Sequence, residues 1–317
     1  MEYANLGRSG LSVSRLVLGT LNFGWNTPEA DARALMDRAH EHGINFFDTA
    51  DVYGANGGTE TIIGNWFAAG GGRRERTVLA TKLYGDMGDW PNEGRLSALH
   101  IRRACEASLK RLRTDYLDLY QMHHVDRSTP FEEIWEAMEV LRAQGKILYA
   151  GSSNFAAWHL VKAQEAAVRR HFSGLVSEQS FYNLLNRTVE LEVLPACQDY
   201  GIGMIPWSPL AGGLLGGILR RNSLRTEVIG ANLERYRTVI AAFEAMCDGL
   251  GSGPAEVALA WLLSRPGVTG PIVGPRTISH LDAALRAFET ELDAESLRRL
   301  DELFPGPGGP APEAYTW

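Results

Sequence analysis

A closed α/β barrel of eight parallel strands, the (β/α)8 or TIM-barrel class, is predicted for this 317-residue chain by three observations. Eight short apolar runs alternate with amphipathic helical patterns, and no linker divides them. An open doubly wound sheet usually carries a GxGxxG turn after its first strand, and none occurs near the N-terminus. A chain of this length buries roughly 75% of its unfolded surface, and barrels of about 250 residues or more are commonly one unit. Residues 1–317 are therefore read as a single domain.

In chain order, residues 3–6 are expected to pair with 11–13 through the Gly7-Arg8-Ser9-Gly10 turn, as a hairpin capping the barrel floor. Candidate strands then cover 11–18, 44–47, 77–81, 116–122, 147–151, 175–178, 203–207 and 271–273. The first helix takes Thr27 as N-cap candidate and Pro28 as first helical residue, with Ala34, Leu35, Met36 and Ala39 repeating at helical spacing. Further helices are expected over 59–67, 96–112, 131–144, 156–168, 189–200, 254–263 and 278–288. An extra helix over 294–303 precedes an irregular tail, 305–317, rich in glycine and proline at 305–312.

Composition narrows the function. The chain is 45% hydrophobic and 22% charged, within the globular range, and its net charge of −7 is spread rather than blocked. That argues against nucleic acid or an anionic membrane as partner. The pairs Arg73-Arg74, Arg102-Arg103 and Arg220-Arg221 are read as solvated faces. The N-terminus lacks a signal-peptide pattern, and no apolar stretch approaches the ~20 residues of a membrane helix, so a cytoplasmic setting is expected. Cys105, Cys197 and Cys247 are far apart without metal-ligand spacing, so neither disulfides nor a metal site is indicated.

The chemistry gathers at predicted strand ends. Asp48 and Tyr53 follow the second strand, Lys82 ends the third and His123 the fourth, so a barrel brings all four to one mouth. A phenol titrates near pH ~10 and becomes a useful acid when a cation stabilises its phenolate. Lys82 can be that cation, Asp48 can hold it, and His123 can donate to a substrate oxygen. Asp51 is read as loop chemistry or a helix cap, and His124 as pointing away from the mouth.

The same edge carries Ser153 and Asn154 after the fifth strand and Gln179 after the sixth, groups suited to a planar carboxamide. Trp207 ends the seventh strand and offers a face on which a nicotinamide could stack. The glycine-rich segment 208–217 lets backbone amides approach phosphate oxygens. Gly274-Pro275-Arg276-Thr277 opens the last barrel helix, where backbone donors and a guanidinium suit a 2'-phosphate. No acidic residue in 274–277 would repel that phosphate, which points to NADPH rather than NADH.

The chain resembles the aldo-keto reductases, NADPH-dependent carbonyl reductases on a TIM barrel, from Leu6-Gly7 to about Phe304. The motifs are Leu18-Gly19-Thr20, Phe47-Asp48-Thr49-Ala50-Asp51-Val52-Tyr53-Gly54, Ala80-Thr81-Lys82 and Leu117-Asp118-Leu119-Tyr120-Gln121-Met122-His123. Gly151-Ser152-Ser153-Asn154-Phe155, Gln179-Ser180-Phe181-Tyr182-Asn183 and Trp207-Ser208-Pro209-Leu210-Ala211-Gly212-Gly213-Leu214-Leu215 complete them. The resemblance implies a catalytic tetrad of Asp48, Tyr53, Lys82 and His123 with Tyr53 as acid. It also implies an NADPH/NADP+ groove at Gly19, Thr20, Leu21, Asp48, Ser153, Asn154, Gln179, Trp207, Ser208, Pro209, Leu210, Gly212, Leu214, Gly274, Arg276 and His280. Two positions depart from the pattern: His280 stands where Gln or Arg is frequent and Ala284 where Asn is common, so a direct grip on the adenine amino group is not implied.

The expected substrate is a small-molecule carbonyl touching Tyr53 and His123, with Trp25, Tyr84 and Trp90 walling the pocket. Sugars, nucleotide-linked keto sugars, small aldehydes and quinones all fit. A second reading is an NADP(H)-binding accessory or redox-sensing subunit like the potassium-channel beta subunits, which share this resemblance.

Overall fold

A computed structural model describes residues 1–220 and 225–308, with the backbone alone over 225–232. Arg221 and the tail from residue 309 lie outside the described residues.

The chain opens with a hairpin, β1 (Tyr3–Asn5) antiparallel to β2 (Ser12–Ser14), and then enters the barrel with β3 (Val17–Gly19). The expected strand over 11–18 is therefore two. Arg15 N–H still bonds Glu2 O at 3.0 Å, whereas Val17 N–H bonds Pro271 O at 3.0 Å, so the backbone changes partner within two residues. After α1 (Glu29–Glu41), strands and helices alternate as β4 (Phe46–Asp48), α2 (Tyr53–Ala68), β5 (Val78–Leu83), α3 (Ala98–Leu112), β6 (Leu117–Met122), α4 (Phe131–Ala143) and β7 (Ile147–Ser153). The order continues with α5 (Ala157–Arg169), β8 (Leu175–Phe181), α6 (Val193–Tyr200), β9 (Gly203–Trp207), α7 (Arg225–Gly249), α8 (Pro254–Ser264), β10 (Ile272–Val273), α9 (Ile278–Leu285) and α10 (Ala294–Leu303).

The eight parallel strands run β10-β3-β4-β5-β6-β7-β8-β9. The ring approaches closure where Thr269 N–H, just before β10, bonds Met204 O of β9 at 2.8 Å. Alternating side chains give each strand an inner and an outer face. Val17, Phe46, Ala80 and Leu119 point into the barrel, which Leu6 and Val13 of the hairpin plug from below. Their neighbours Leu18, Phe47, Leu79 and Tyr120 join the larger core beneath the helices. That burial on both faces is why the strands read as continuous apolar runs.

Several elements depart from expectation. Pro28, extended at ψ 156°, is itself the N-cap of α1, and the buried Thr27 hydroxyl has no hydrogen-bond partner among the described residues, because the fixed proline lies outside the helix. The expected helix over 189–200 is a 3₁₀ turn, Thr188–Glu190, followed by α6, and 278–288 is α9 followed by a 3₁₀ turn, Arg286–Phe288. The 25-residue α7 has no counterpart in the sequence reading. Arg74 is not a solvated residue: it pairs with Asp118 at 2.8 Å, each side chain 11% exposed, and lies 3.8 Å over the Tyr116 ring. Arg102 and Arg103 are exposed as read, and Arg220 bonds Glu244 at 3.2 Å.

Helices α2 and α3 approach through Gly64, where a Cβ would stand 2.1 Å from Arg111 O. The three cysteines are free and buried, and burial pushes the thiols of Cys105 and Cys247 up to about 12 and that of Cys197 higher. Among the described residues, no helix is long and apolar enough to cross a membrane, and no His, Cys, Asp or Glu cluster could hold a metal.

Candidate active site

Strand register sets the site in a row. Gly19 pairs with Asp48, Asp48 with Ala80, Lys82 with Gln121, and Ser153 with Gln179. Two residues above Phe46 on the inner face of β4 comes Asp48; two above Ala80 on β5 comes Lys82; two above Leu119 on β6 comes Gln121. The barrel interior thus turns from apolar to polar at its C-terminal mouth, where such folds place their chemistry.

Lys82 is fully buried. Its Nζ donates to Asp48 Oδ2 at 2.6 Å, to Thr49 O at 2.9 Å and to the Tyr53 hydroxyl at 3.4 Å. Burial pulls the ammonium toward neutrality, but the Asp48 charge, Tyr53 and their hydrogen bonds outweigh it and hold its pKa above the ordinary value. Two side-chain amides, Gln121 Nε2 at 3.1 Å and Gln179 Nε2 at 2.8 Å, complete the shell of Asp48 through Oδ1.

Tyr53 arrives on a loop laid along β5: Thr49 N–H bonds Ala80 O at 2.9 Å and Asp51 N–H bonds Lys82 O at 3.1 Å. Residues 54–57 then run left-handed, with φ of 65°, 56°, 59° and 99°, before α2 proper begins. Ala55 and Asn56 accept a conformation that favours glycine. Burial raises the Tyr53 phenol above its ordinary pKa, while the Lys82 charge opposes the rise. The Tyr53 and His123 rings meet edge to face with centroids 5.8 Å apart. Burial, then the charges of Lys82 and His124, lower His123 to about 3, so its imidazole is neutral. Asp51 caps no helix; burial and the Glu60 charge push its carboxyl up to about 7.

Above these groups lies a cavity of 1020 Å³, the size of a large ligand site. Tyr53, His123 and the expected groove residues line it, with one exception. Leu214 packs instead with Ile218, Leu233 and Ile240 in a separate apolar cluster, because the turn at Gly212 and Gly213 directs it inward. Asn154 Nδ2 donates to His123 O at 3.2 Å and its Oδ1 accepts from Trp207 Nε1 at 3.1 Å. Trp207 stacks one face on Phe181 at 4.6 Å, leaving the other to the cavity. At Gly212, φ 69°, a Cβ would meet nothing within 4 Å among the described residues, so this backbone lies open to a ligand. Arg276 lines the far end and makes no ion pair among the described residues. A planar slot, an open glycine backbone and an unpaired guanidinium in sequence along one groove fit a nicotinamide dinucleotide.

The three residues expected to wall a substrate pocket do not line this cavity. Trp25 and Trp90 are 76% and 77% exposed, and with Tyr84 they lie outside the cavity wall. Tyr84 is engaged elsewhere, its hydroxyl accepting from Arg95 at 2.9 Å and its ring 5.4 Å from that of His124, which is exposed and turned from the cavity. Sequence reasoning passed over Gln121, although it sits at the period-two position above Leu119, and Asn22, whose Nδ2 bonds Gly274 O at 3.0 Å just beyond the paired ends of β3 and β10.

Residues 15–304 match the profile of the Aldo/keto reductase family. An uncharacterised oxidoreductase of Bacillus subtilis, YrpG, is 56% identical over the whole of both chains. Versiconal hemiacetal acetate reductase of Aspergillus parasiticus is 36% identical over 96% of this chain and 97% of its own. A probable voltage-gated potassium channel subunit beta of Arabidopsis thaliana is 36% identical over 91% of this chain and 92% of its own. A barrel mouth carrying this phenol, ammonium, carboxylate and imidazole, together with a profile match over nearly the whole chain, leads to one conclusion: the chain belongs to the aldo/keto reductase family of oxidoreductases.

Proposed function

We propose that the protein reduces an aldehyde or ketone to its alcohol with NADPH, Tyr53 giving the proton. One observation carries this reading: Lys82 Nζ touches both Asp48 and the Tyr53 hydroxyl beneath a groove suited to a dinucleotide. A nicotinamide coenzyme bound there supplies a hydride to the carbonyl carbon. Ser153, Asn154 and Gln179 orient its carboxamide, and the free face of Trp207 backs the ring. Arg276 and the absence of an acidic residue at 274–277 favour the 2'-phosphate.

Tyr53 holds its proton at neutral pH because burial disfavours the phenolate. The Lys82 ammonium stabilises the phenolate left after transfer, and Asp48, fixed by Gln121 and Gln179, keeps that ammonium in place. Neutral His123 donates a hydrogen bond to the carbonyl oxygen without competing as an acid. The substrate class remains broad: small aldehydes, sugars, nucleotide-linked keto sugars and quinones. The buried free cysteines suit a reducing, cytoplasmic setting.

The test is loss of NADPH absorbance over many turnovers with an aldehyde and quinone panel. Tyr53→Phe should bind NADPH as the parent does while turnover falls by about 10² or more; a variant with full turnover refutes the assignment. The relatives named potassium channel beta subunits favour a second reading, an NADP(H)-binding accessory or sensing subunit. Tight coenzyme binding without multiple turnover across the panel would support that reading over the first.

A further inference from the structure

Tyr53 leads into the left-handed turn at residues 54–57, where Ala55 and Asn56 carry side chains that disfavour such a backbone. A turn of this kind persists only where its surroundings impose it. The imposing contact comes from Arg111, near the end of α3. Gly57, Glu60 and Gly64 recur at helical spacing along α2, and all three meet this one residue. A Cβ at Gly57 would stand 2.3 Å from Arg111 Nε and 2.4 Å from its Cδ, so the arginine side chain lies directly on the last residue of the turn.

Arg111 also closes a hydrogen-bonded path back to the site. Its Nε donates to Glu60 Oε2 at 2.7 Å, and Glu60 Oε1 accepts from Thr81 Oγ1 at 2.6 Å. The Glu60 side chain is fully buried, and that of Arg111 is 21% exposed. Thr81 directly precedes Lys82, so the path ties the segment that presents the phenol to the strand that presents the ammonium. Asp51, two residues before Tyr53, stands in the same field: after burial, the Glu60 charge raises its carboxyl pKa and the Arg111 charge opposes the rise. The Tyr53 hydroxyl and Lys82 Nζ are 3.4 Å apart, at the long end for a hydrogen bond, so a small drift of the turn separates them. Neither Arg111 nor Glu60 lines the coenzyme cavity.

We propose that Arg111 and Glu60 are positioning residues for proton transfer: their ion pair, tied to Thr81, locks the turn at 54–57 and holds the Tyr53 hydroxyl against Lys82. The inference deepens the proposed reaction and rests on Tyr53 as its proton donor.

The test compares full-chain variants. In Arg111→Met, turnover of para-nitrobenzaldehyde at saturating NADPH should fall by about tenfold to a hundredfold, because a displaced acid loses most of its contribution. NADPH affinity, read by tryptophan quenching, should stay at the parent value, and the solvent deuterium isotope effect on kcat should grow as proton transfer becomes limiting. Arg111→Lys should recover most of the turnover. A readout without turnover is the Cζ NMR signal of Tyr53 in the NADP+-saturated protein, assigned from Tyr53→Phe. It should titrate at higher pH in Arg111→Met, since the phenolate has lost Lys82. Glu60→Gln keeps the side-chain volume and serves even where Arg111→Met fails to fold. It should also move the Tyr53 titration upward, whereas the mere removal of a negative charge would move it down. The control is Arg74→Met, which breaks the ion pair with Asp118 at the start of β6 and should lower stability while leaving the Tyr53 titration and the isotope effect as in the parent. Parent values of both in Arg111→Met and Glu60→Gln overturn the proposal. So does an equal response in Arg74→Met, which would trace the effect to lost stability alone. Full turnover in Tyr53→Phe would instead refute the acid assignment, and the Cζ titration would still decide whether Arg111 holds the phenol to Lys82.

Discussion

Burial sets the two groups that would face substrate to opposite protonation demands: it lowers the His123 imidazole to about 3 and raises the Tyr53 phenol. His123 is therefore neutral throughout the physiological range, and Tyr53 keeps its proton until the solution is strongly alkaline. The rate of carbonyl reduction should be level from pH ~5 to ~8 and decline only above the ordinary phenol value of about 10. A kcat/KM profile measures this, and an acidic limb near pH ~6 that disappears in His123→Gln would contradict it. The four residues of this cluster were legible because each ends or closely follows an apolar run, a signal that survives in one dimension. Gln121 was not, since an amide on an inner strand face looks like any polar interruption until Asp48 is opposite it. Trp25, Tyr84 and Trp90 stand apart from the cavity in loops shaped by local contacts, such as Arg95 on Tyr84, that no periodicity encodes.

Elements were legible where burial is periodic. Helix α10 and strand β9 occupy the expected residues. The split of 11–18 was hidden because Val13 and Val17 both point into the same core, so the apolar run continues while the hydrogen-bond partner changes. The long α7 carries buried Leu233, Ile240, Phe243 and Cys247 at spacings that suit a helix, but they lie among so many charged residues that the stripe is faint. Packing between elements left no trace in composition. Gly64 is one glycine of 34, and only the coordinates set it against the Arg111 carbonyl. Gly64→Ala should push α2 from α3 at a cost on the order of 3 kcal/mol, read as a lower urea midpoint with the same slope. An unchanged midpoint would mean that the two helices separate freely.

For the molecule as a whole, fold class followed from counting strand-helix units, whereas closure rests on a short bridge, Thr269 N–H to Met204 O and Met204 N–H to Gly267 O, that no motif announces. The buried Lys82–Asp48 pair links stability to chemistry. Lys82→Met alone strands a buried carboxylate and should cost about 3–5 kcal/mol. Adding Asp48→Asn should restore part of that loss, because an amide there can still accept from Gln121 and Gln179. A double-mutant cycle by urea unfolding checks the coupling; strictly additive losses would show that the pair contributes nothing jointly.

The sealed thiols bear on durability. Enals and quinones alkylate soft nucleophiles, and the reactive species is the thiolate. With Cys105 and Cys247 at about 12, Cys197 higher and none of the three exposed, any such electrophile that reached the barrel mouth would find no cysteine thiolate to attack.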